Sequence, residues 1–364
     1  MAFQTDTPFN NLPKLPPKAD VETARLLKKA ASARGALGEL KGVGKLLPNE
    51  TILLNTLILE EARDSSEIEN IITTRDKLYK AFASSSKNID PATKEVLRYR
   101  SALWKGYELV RKNGFISTNM IVDIQEELIE TNAGIRKLPG TKLANDKTGQ
   151  VIYTPPEGER VILDMLGNLE QYLNDEHDID PLVVMAILHY QFEAIHPFYD
   201  GNGRTGRILN VLYLTLRELL DLPILYLSSY IIKHKTEYYK LLLRVTTHNE
   251  WEAWIMFMLE AIKETAQDTI KKVNAIRELI DETITEVKSK LPRIYTKELI
   301  EVLFQQPYCK VAFLVDANLG ERKAAARYLN ALEQIGVLKG RKSGKEKIFL
   351  NQRLFSLFSN KTKS

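Results

Sequence analysis

Apolar residues recur at three- and four-residue steps along most of the chain, the spacing of one buried helix face. That pattern predicts helices over residues 21–40 and 49–63. A further helix is predicted to start at Asp64-Ser65-Ser66, good N-cap residues with Glu67 and Glu69 in or near the first turn. It runs through Ile71, Ile72, Leu78 and Tyr79 to about residue 83. A mostly polar loop at 84–90 leads to Pro91, a favourable first helical residue. Helices are then predicted over 91–113, 117–130, 161–174, 181–195, 204–220 and 251–266. One interruption stands out. Thr141-Lys142-Leu143 and Val151-Ile152-Tyr153-Thr154 flank Asp146-Lys147-Thr148-Gly149, a hairpin signal that Pro155-Pro156 closes.

Residues 262–290 are highly charged, yet Ala266, Ile270, Val273, Ile276, Ile280, Ile284 and Val287 keep one apolar stripe. This predicts a connecting helix whose stripe either lies on its own domain or makes a homodimer contact. Beyond Pro292 the elements shorten. Helices are predicted over 296–304, 311–318 and 322–335, and strands at 337–338 and 347–350. A basic turn, Gly340-Arg341-Lys342-Ser343-Gly344-Lys345, lies between the strands. Three helices followed by a basic hairpin is the plan of a winged helix-turn-helix. The expected fold class is mainly α, with one small hairpin in a helical core. The expected division is 1–90, a core at 91–266, a connecting helix at 267–290 and a winged-helix-like domain at 291–364.

The length of 364 residues suits about two to three domains. A single cysteine, Cys309, excludes a disulfide framework and a cysteine-rich zinc site and fits the cytoplasm. No apolar run is long enough to span a membrane. Residues 1–20 lack an apolar signal core and read as an arm that crosses a surface. Charge changes the picture further. Residues 291–364 hold 14 Lys+Arg against 6 Asp+Glu, a balance of +8, within a chain whose net charge is +4. The basic character therefore belongs to the C-terminal segment, which suits contact with nucleic acid, although winged helices also dock proteins.

The chemistry concentrates at 196–207, His196-Pro197-Phe198-Tyr199-Asp200-Gly201-Asn202-Gly203-Arg204-Thr205-Gly206-Arg207. Gly201 and Gly203 allow a sharp turn and close approach to a ligand. The following helix presents free N–H groups and a positive dipole end to an anion. Arg204 and Arg207 add planar phosphate donors, and Asn202 adds an amide. Asp200 beside such a site makes sense if Mg²⁺ lies between it and phosphate oxygens. His196 is placed to take a proton from an attacking hydroxyl. Together these read as transfer from a polyphosphate, without the Gly-Lys-Ser/Thr ending of a P-loop.

The run resembles the Fic-family motif, His-x-Phe-x-(Asp/Glu)-Gly-Asn-Gly-Arg-x-x-Arg, at every defined position, and Leu188 to Ile195 resemble the helix before it. The resemblance implies a protein adenylyltransferase that moves AMP from ATP to a Ser, Thr or Tyr hydroxyl. In it His196 is the general base and Asp200 holds Mg²⁺. Gly201, Asn202, Gly203, Arg204, Thr205, Gly206 and Arg207 bind the ATP phosphates, and Phe198 anchors the loop in the core. The hairpin at 141–154 resembles the family's flap, which docks the protein substrate by strand addition. Tyr238 and Tyr239 resemble residues lining the nucleotide base, whereas Trp251 and Trp254 suit the core. Removal of AMP, transfer of another phosphate-linked group, and a nucleotide-sensing DNA-binding regulator are the alternatives.

Ser65-Ser66-Glu67-Ile68-Glu69-Asn70 fits the family's (Ser/Thr)-x-x-x-Glu-(Gly/Asn) inhibitory motif. The resemblance implies that Ser65, Glu69 and Asn70 form a switch in which Glu69 pairs with Arg207 and turns ATP out of line. The N-terminal helices and the winged-helix-like tail resemble those of the larger Fic proteins.

Overall fold

Asp before Pro starts two of the helices that carry the site: Asp90-Pro91 and Asp180-Pro181. In each, the Asp carboxylate accepts a backbone N–H of the first turn, from Thr93 and from Leu182, and the Pro needs no partner there. A computed structural model of the chain describes residues 3–83, 89–145, 148–343 and 346–359. In chain order the elements are α1 (Ala24–Gly44), α2 (Thr51–Ile68), α3 (Arg75–Ala83), α4 (Pro91–Asn113), α5 (Thr118–Ile129), β1 (Leu143–Ala144), β2 (Val151–Tyr153), α6 (Glu159–Asn174), α7 (Pro181–Ile195) and α8 (Asn202–Leu216). They continue with α9 (Ser228–Lys233), α10 (Lys235–His248), α11 (Trp251–Lys290), α12 (Lys297–Phe304), β3 (Tyr308–Cys309), α13 (Val311–Asp316), α14 (Arg322–Gln334), β4 (Lys339–Ser343), β5 (Glu346–Leu350) and α15 (Gln352–Ser359).

The fold is mainly helical, and α8 is its centre. Residues 204–214 of that helix are buried without interruption, between α7, α4, α5 and α2. Such all-round burial explains why its sequence shows no clean polar face. The β1–β2 hairpin is antiparallel and stands beside the C-terminal end of α7. The N-terminal arm crosses the surface of the hairpin base, α6 and α7 before α1 begins. In the C-terminal unit α13 and α14 pack together, and β3, β5 and β4 form an antiparallel sheet in that order. This unit docks through α12 and α15 on α11 and through β3 on α3. No helix among the described residues is long and apolar enough to cross a membrane.

Four expectations change. First, α2 does not end at residue 63, and no single helix runs from Asp64 to 83, since residues 69–74 are not helical. Helix α2 runs to Ile68, because Asp64 and Ser65 spend their side chains on Tyr226 and Arg207 rather than on capping a new helix. Glu69 and Asn70 therefore follow a helix C-terminus instead of lying in or near a first turn. Second, residues 251–290 are one helix, so the boundary drawn at 266/267 falls inside α11. Its stripe is covered within the chain, by α1 along the first part and by α12 and α15 near the end, which leaves the homodimer contact without that surface. Third, Gly340–Ser343 is strand, not turn. Gly344, Lys345, Asp146, Lys147 and most of the 84–90 loop lie outside the described residues. Fourth, α9, α10, β3 and α15 were not expected.

Candidate active site

The site grows out of the junction between α7 and α8. Helix α7 ends on His196, which sits in the left-handed region at φ 49° and sends the chain back over the helix end. Such a conformation costs energy for a non-glycine residue and has to be held by its surroundings. Arg136 does the holding. Its side chain is buried and donates to the carbonyl oxygens of His196 (2.8 Å), Ile195 (3.3 Å) and Pro156, while its own N–H donates to Pro197 (2.9 Å). Phe198 is buried beneath the loop. Asn202 closes it by accepting the Phe198 N–H at 2.8 Å and donating to the Phe198 carbonyl at 2.8 Å.

Gly201 then caps α8 at φ 81°, with its Cα pressed on Ile129 and Leu128 so that a Cβ would collide at 2.8 Å. The N–H groups of Asn202, Gly203 and Arg204 are the first three of α8 and have no acceptor within the helix, which makes this end an anion site. A carboxylate already lies there. A Cβ on Gly203 would stand 2.4 Å from Oε1 of Glu69, so the Glu69 carboxylate rests against the first turn of α8.

That carboxylate also accepts from Arg207 at 2.7 Å. Arg207 is buried and also donates to Ser65, through Nε to Oγ at 2.8 Å and through a terminal nitrogen to the carbonyl at 2.9 Å. Burial pushes the Glu69 carboxyl up, but the charge and hydrogen bond of Arg207, with Arg204 and Lys235 nearby, outweigh it and hold Glu69 below its ordinary range. The chain makes room for this by turning at Asn70, whose φ of 62° suits Asn or Gly. Lys235 donates to the Ile68 carbonyl at 2.5 Å, so it neutralises the negative end of α2 beside Glu69.

Arg204 is likewise occupied. It is buried, ion-paired with Glu95 of α4 and 3.5 Å from Asp200. The Asp200 side chain is exposed at the mouth and accepts the Gly201 N–H at 2.6 Å. The His196 ring is half-buried, with its pKa lowered to about 4 by burial and then by the charge of Arg136; the Glu193 carbonyl, Glu69 and Asp200 oppose this. It is therefore neutral near pH 7 and has a lone pair to accept a proton.

The structure brings His196, Asp200, Gly201, Gly203, Arg204, Arg207, Ser65 and Glu69 to one place. Four expected ligands behave otherwise. The Asn202 amide is consumed by Phe198, so only its backbone N–H faces the anion site. Thr205 is buried, and its N–H is committed to Gly201 at 2.9 Å. Gly206 lies under the crossing with α7, against Glu193 and Phe192. Tyr238 is a core residue: it is buried, bonded to His189 at 2.7 Å and packed on Trp254 and Phe257. Its neighbour Tyr239 is exposed, and Trp251 and Trp254 are buried. Arg136, Glu95, Lys235 and Glu193 escaped the sequence reading. Burial raises the Glu193 carboxyl to about 7, against the pull of Arg207. Glu193 lies in the run 188–195 singled out above without a role, while long-range contact alone defines the other three.

Comparison with known proteins matches three family models. Residues 27–108 match the Fic/DOC family N-terminal model, 115–214 the Fic/DOC family model, and 279–354 the C-terminal domain of SoFic-like protein adenylyltransferases. Similar curated proteins include a probable protein adenylyltransferase, aq_aa38, of Aquifex aeolicus, 30% identical over 161 residues, 43% of this chain and 47% of that protein. Another is the protein adenylyltransferase Fic of Aedes aegypti, 26% identical over 200 residues, 54% of this chain and 38% of that protein. The chain thus spans less than half the length of these relatives. Among solved structures, a Fic family protein from Desulfovibrio desulfuricans G20 superposes with a TM-score of 0.57 at 19% identity, covering 92% of this chain and 98% of that one. Fic-1 from C. elegans gives 0.51 at 21%, covering 69% and 73%. At these identities the likeness is one of fold.

Proposed function

The chain belongs to the Fic/DOC family, and on that premise we propose that it is a protein adenylyltransferase held at rest by its own residues 65–70. The observation that carries this reading is the Glu69 carboxylate. It lies on the α8 N-terminus, where a phosphate would bind, and neutralises Arg207. In the transfer, an acceptor hydroxyl forms a bond to the α-phosphorus of ATP as the bond to the bridging oxygen of the β-phosphate breaks. His196 takes the hydroxyl proton on Nε2, and pyrophosphate leaves. The backbone N–H groups of residues 202–204 and the guanidinium of Arg207 hold phosphate oxygens, and Arg204 does so from its seat on Glu95. The hairpin at 141–154 acts as the flap that aligns the protein substrate, and Tyr239, the exposed tyrosine of the pair, meets the base.

The site suits Mg²⁺. Asp200 offers one exposed hard oxygen donor, and no group of three His, Cys, Asp or Glu that could hold a metal occurs among the described residues. An ion there would take its other ligands from phosphates and water and would neutralise the charge of the leaving pyrophosphate. The buried Cys309 thiol agrees with a reducing, cytoplasmic setting.

Incorporation of label from ATP carrying radioactive α-phosphate tests the proposal. Glu69→Gly should incorporate about 10- to 100-fold more than the unaltered protein. His196→Ala in that background should lose about 100-fold or more. Equal incorporation by all three proteins would sink the reading.

A second reading concerns the C-terminal unit. It docks through α12, β3 and α15, whereas α14 packs on α13 and on the β4–β5 pair. The exposed face of α14 carries Arg322, Lys323 and Arg327. That arrangement favours contact of this face with duplex DNA. A binding shift that weakens steeply between 50 and 200 mM salt, about tenfold or more, would support it.

A further inference from the structure

The N-terminal arm makes more contacts with the hairpin base than a chain merely crossing a surface needs. Its Phe9 N–H donates to the Thr154 carbonyl at 3.0 Å, and the Thr154 hydroxyl donates to the Thr5 carbonyl at 2.8 Å. Thr154 follows the last residue of β2, so the arm is bonded to that strand's end. Phe3 stacks on Tyr153 at 5.9 Å, Phe9 meets the same ring edge-on at 6.3 Å, and the two phenyl rings touch at 5.5 Å.

Tyr153 is the inward residue of β2, and its hydroxyl donates to the Ala194 carbonyl at 2.8 Å. Ala194 is two residues before His196. A single ring thus ties the hairpin to the end of the helix that delivers the base, and the arm supplies the apolar cover of that ring. The arm is itself fastened to the same scaffold. Asn168 of α6 exchanges two hydrogen bonds with Leu15, and Gln191 of α7 donates to the Pro13 carbonyl at 2.9 Å. Asn10 accepts the Glu157 N–H at 2.8 Å, and Lys14 pairs with Asp164. Arg136 independently bonds both Pro156 and His196.

A two-stranded hairpin this short has little stability of its own and takes its position from what packs on it. We propose that residues 3–15 are a strap that sets the hairpin relative to His196, with Phe3 and Phe9 as positioning residues for the acceptor. This rests on the reading of the hairpin as the flap of a transferase. Loss of the two rings frees Tyr153 and lets the hairpin drift, while the anion site at α8, which the arm does not touch, keeps its nucleotide.

Hydrogen–deuterium exchange on the full chain tests the strap without any catalysis. Phe3→Ala/Phe9→Ala should speed exchange at residues 150–154 about tenfold and leave α7 and α8 unchanged. Phe3→Leu/Phe9→Leu should restore protection, because an apolar cover is kept. In the Glu69→Gly background the alanine pair should lower kcat for AMP incorporation into the protein itself about tenfold, with KM for ATP within twofold. Unchanged exchange at 150–154, or loosening that spreads equally through α6–α8, overturns the proposal. If Glu69→Gly incorporates no label, the transferase reading fails, and the exchange result still decides whether the strap sets the hairpin.

Discussion

The loop at 196–204 and the segment at 65–70 meet at the same helix end but are secured in opposite ways. The loop is closed on itself by Phe198 and Asn202 and bonded from outside by Arg136 and by Gln125, which donates to the Asp200 carbonyl at 3.0 Å. The Glu69 carboxylate at the end of the segment is held by charge and polar contact, with Arg207 and with the first turn of α8. Polar contacts between charged groups are exchangeable, because a phosphate can satisfy Arg207 and the α8 N–H groups as well as Glu69 does. One region is built as scaffold, the other as an occupant.

The comparison breaks most readily at Arg136. Arg136→Met strips donors from three carbonyls around His196, so a stability loss of about 2–4 kcal/mol is expected by urea denaturation. In the Glu69→Gly background AMP incorporation should fall about 100-fold, since a misplaced base forfeits most of its contribution. A variant with full activity would show that the loop holds itself. On the other side, Ser65→Ala removes one acceptor from Arg207 but leaves Glu69. Incorporation should rise several-fold, up to about tenfold, less than for Glu69→Gly. A larger rise than Glu69→Gly would mean that Ser65, not the carboxylate, is the restraint.

Acid titration sharpens the contrast further. His196 works as a base only when neutral, and burial has lowered its pKa to about 4. Activity of Glu69→Gly should therefore persist as pH falls from 8 and be lost near pH 4; a midpoint near the ordinary value of 6.5 would show a solvated ring. The smallest effect concerns Glu61, one turn before Ser65 on α2. Burial raises its pKa to about 7, against hydrogen bonds from Ser228. A folded value above the unfolded 4.5 means that the folded protein binds the extra proton between those limits. This contribution to stability is full below about 4.5 and is lost as pH rises through about 7. Glu61→Gln should flatten that part of the urea midpoint profile and leave transfer unchanged at pH 7.

What the sequence disclosed follows the same division. Helices α4 and α7 were legible to their ends, since Asp-Pro starts both and Gly114 stops the first. The residue types of 196–207 were legible because function crowds them into one short run. The start of a helix at Asp64 was misread for a physical reason. Asp and Ser beside a polar stretch look like a cap, but here they are interior side chains whose partners, Tyr226 and Arg207, lie far along the chain. Arg136 and Glu95 were invisible on the same ground. Helix α15 does carry a signal in the sequence: Leu354, Phe355 and Phe358 recur at helical spacing and pack toward Tyr79 and α11.

Helix α11 sets a phase as well as a distance. Its 40 residues span about 60 Å, and each residue turns the helix by about 100°. The α1 contacts at one end and those of α12 and α15 at the other are thus clocked to each other by residue number. One alanine inserted between them would swing the C-terminal unit a quarter-turn around the rod, away from α3. Seven inserted residues would bring it nearly back into phase but about 10 Å further out. The number of residues between the two sets of contacts is therefore fixed by rotation as well as by reach.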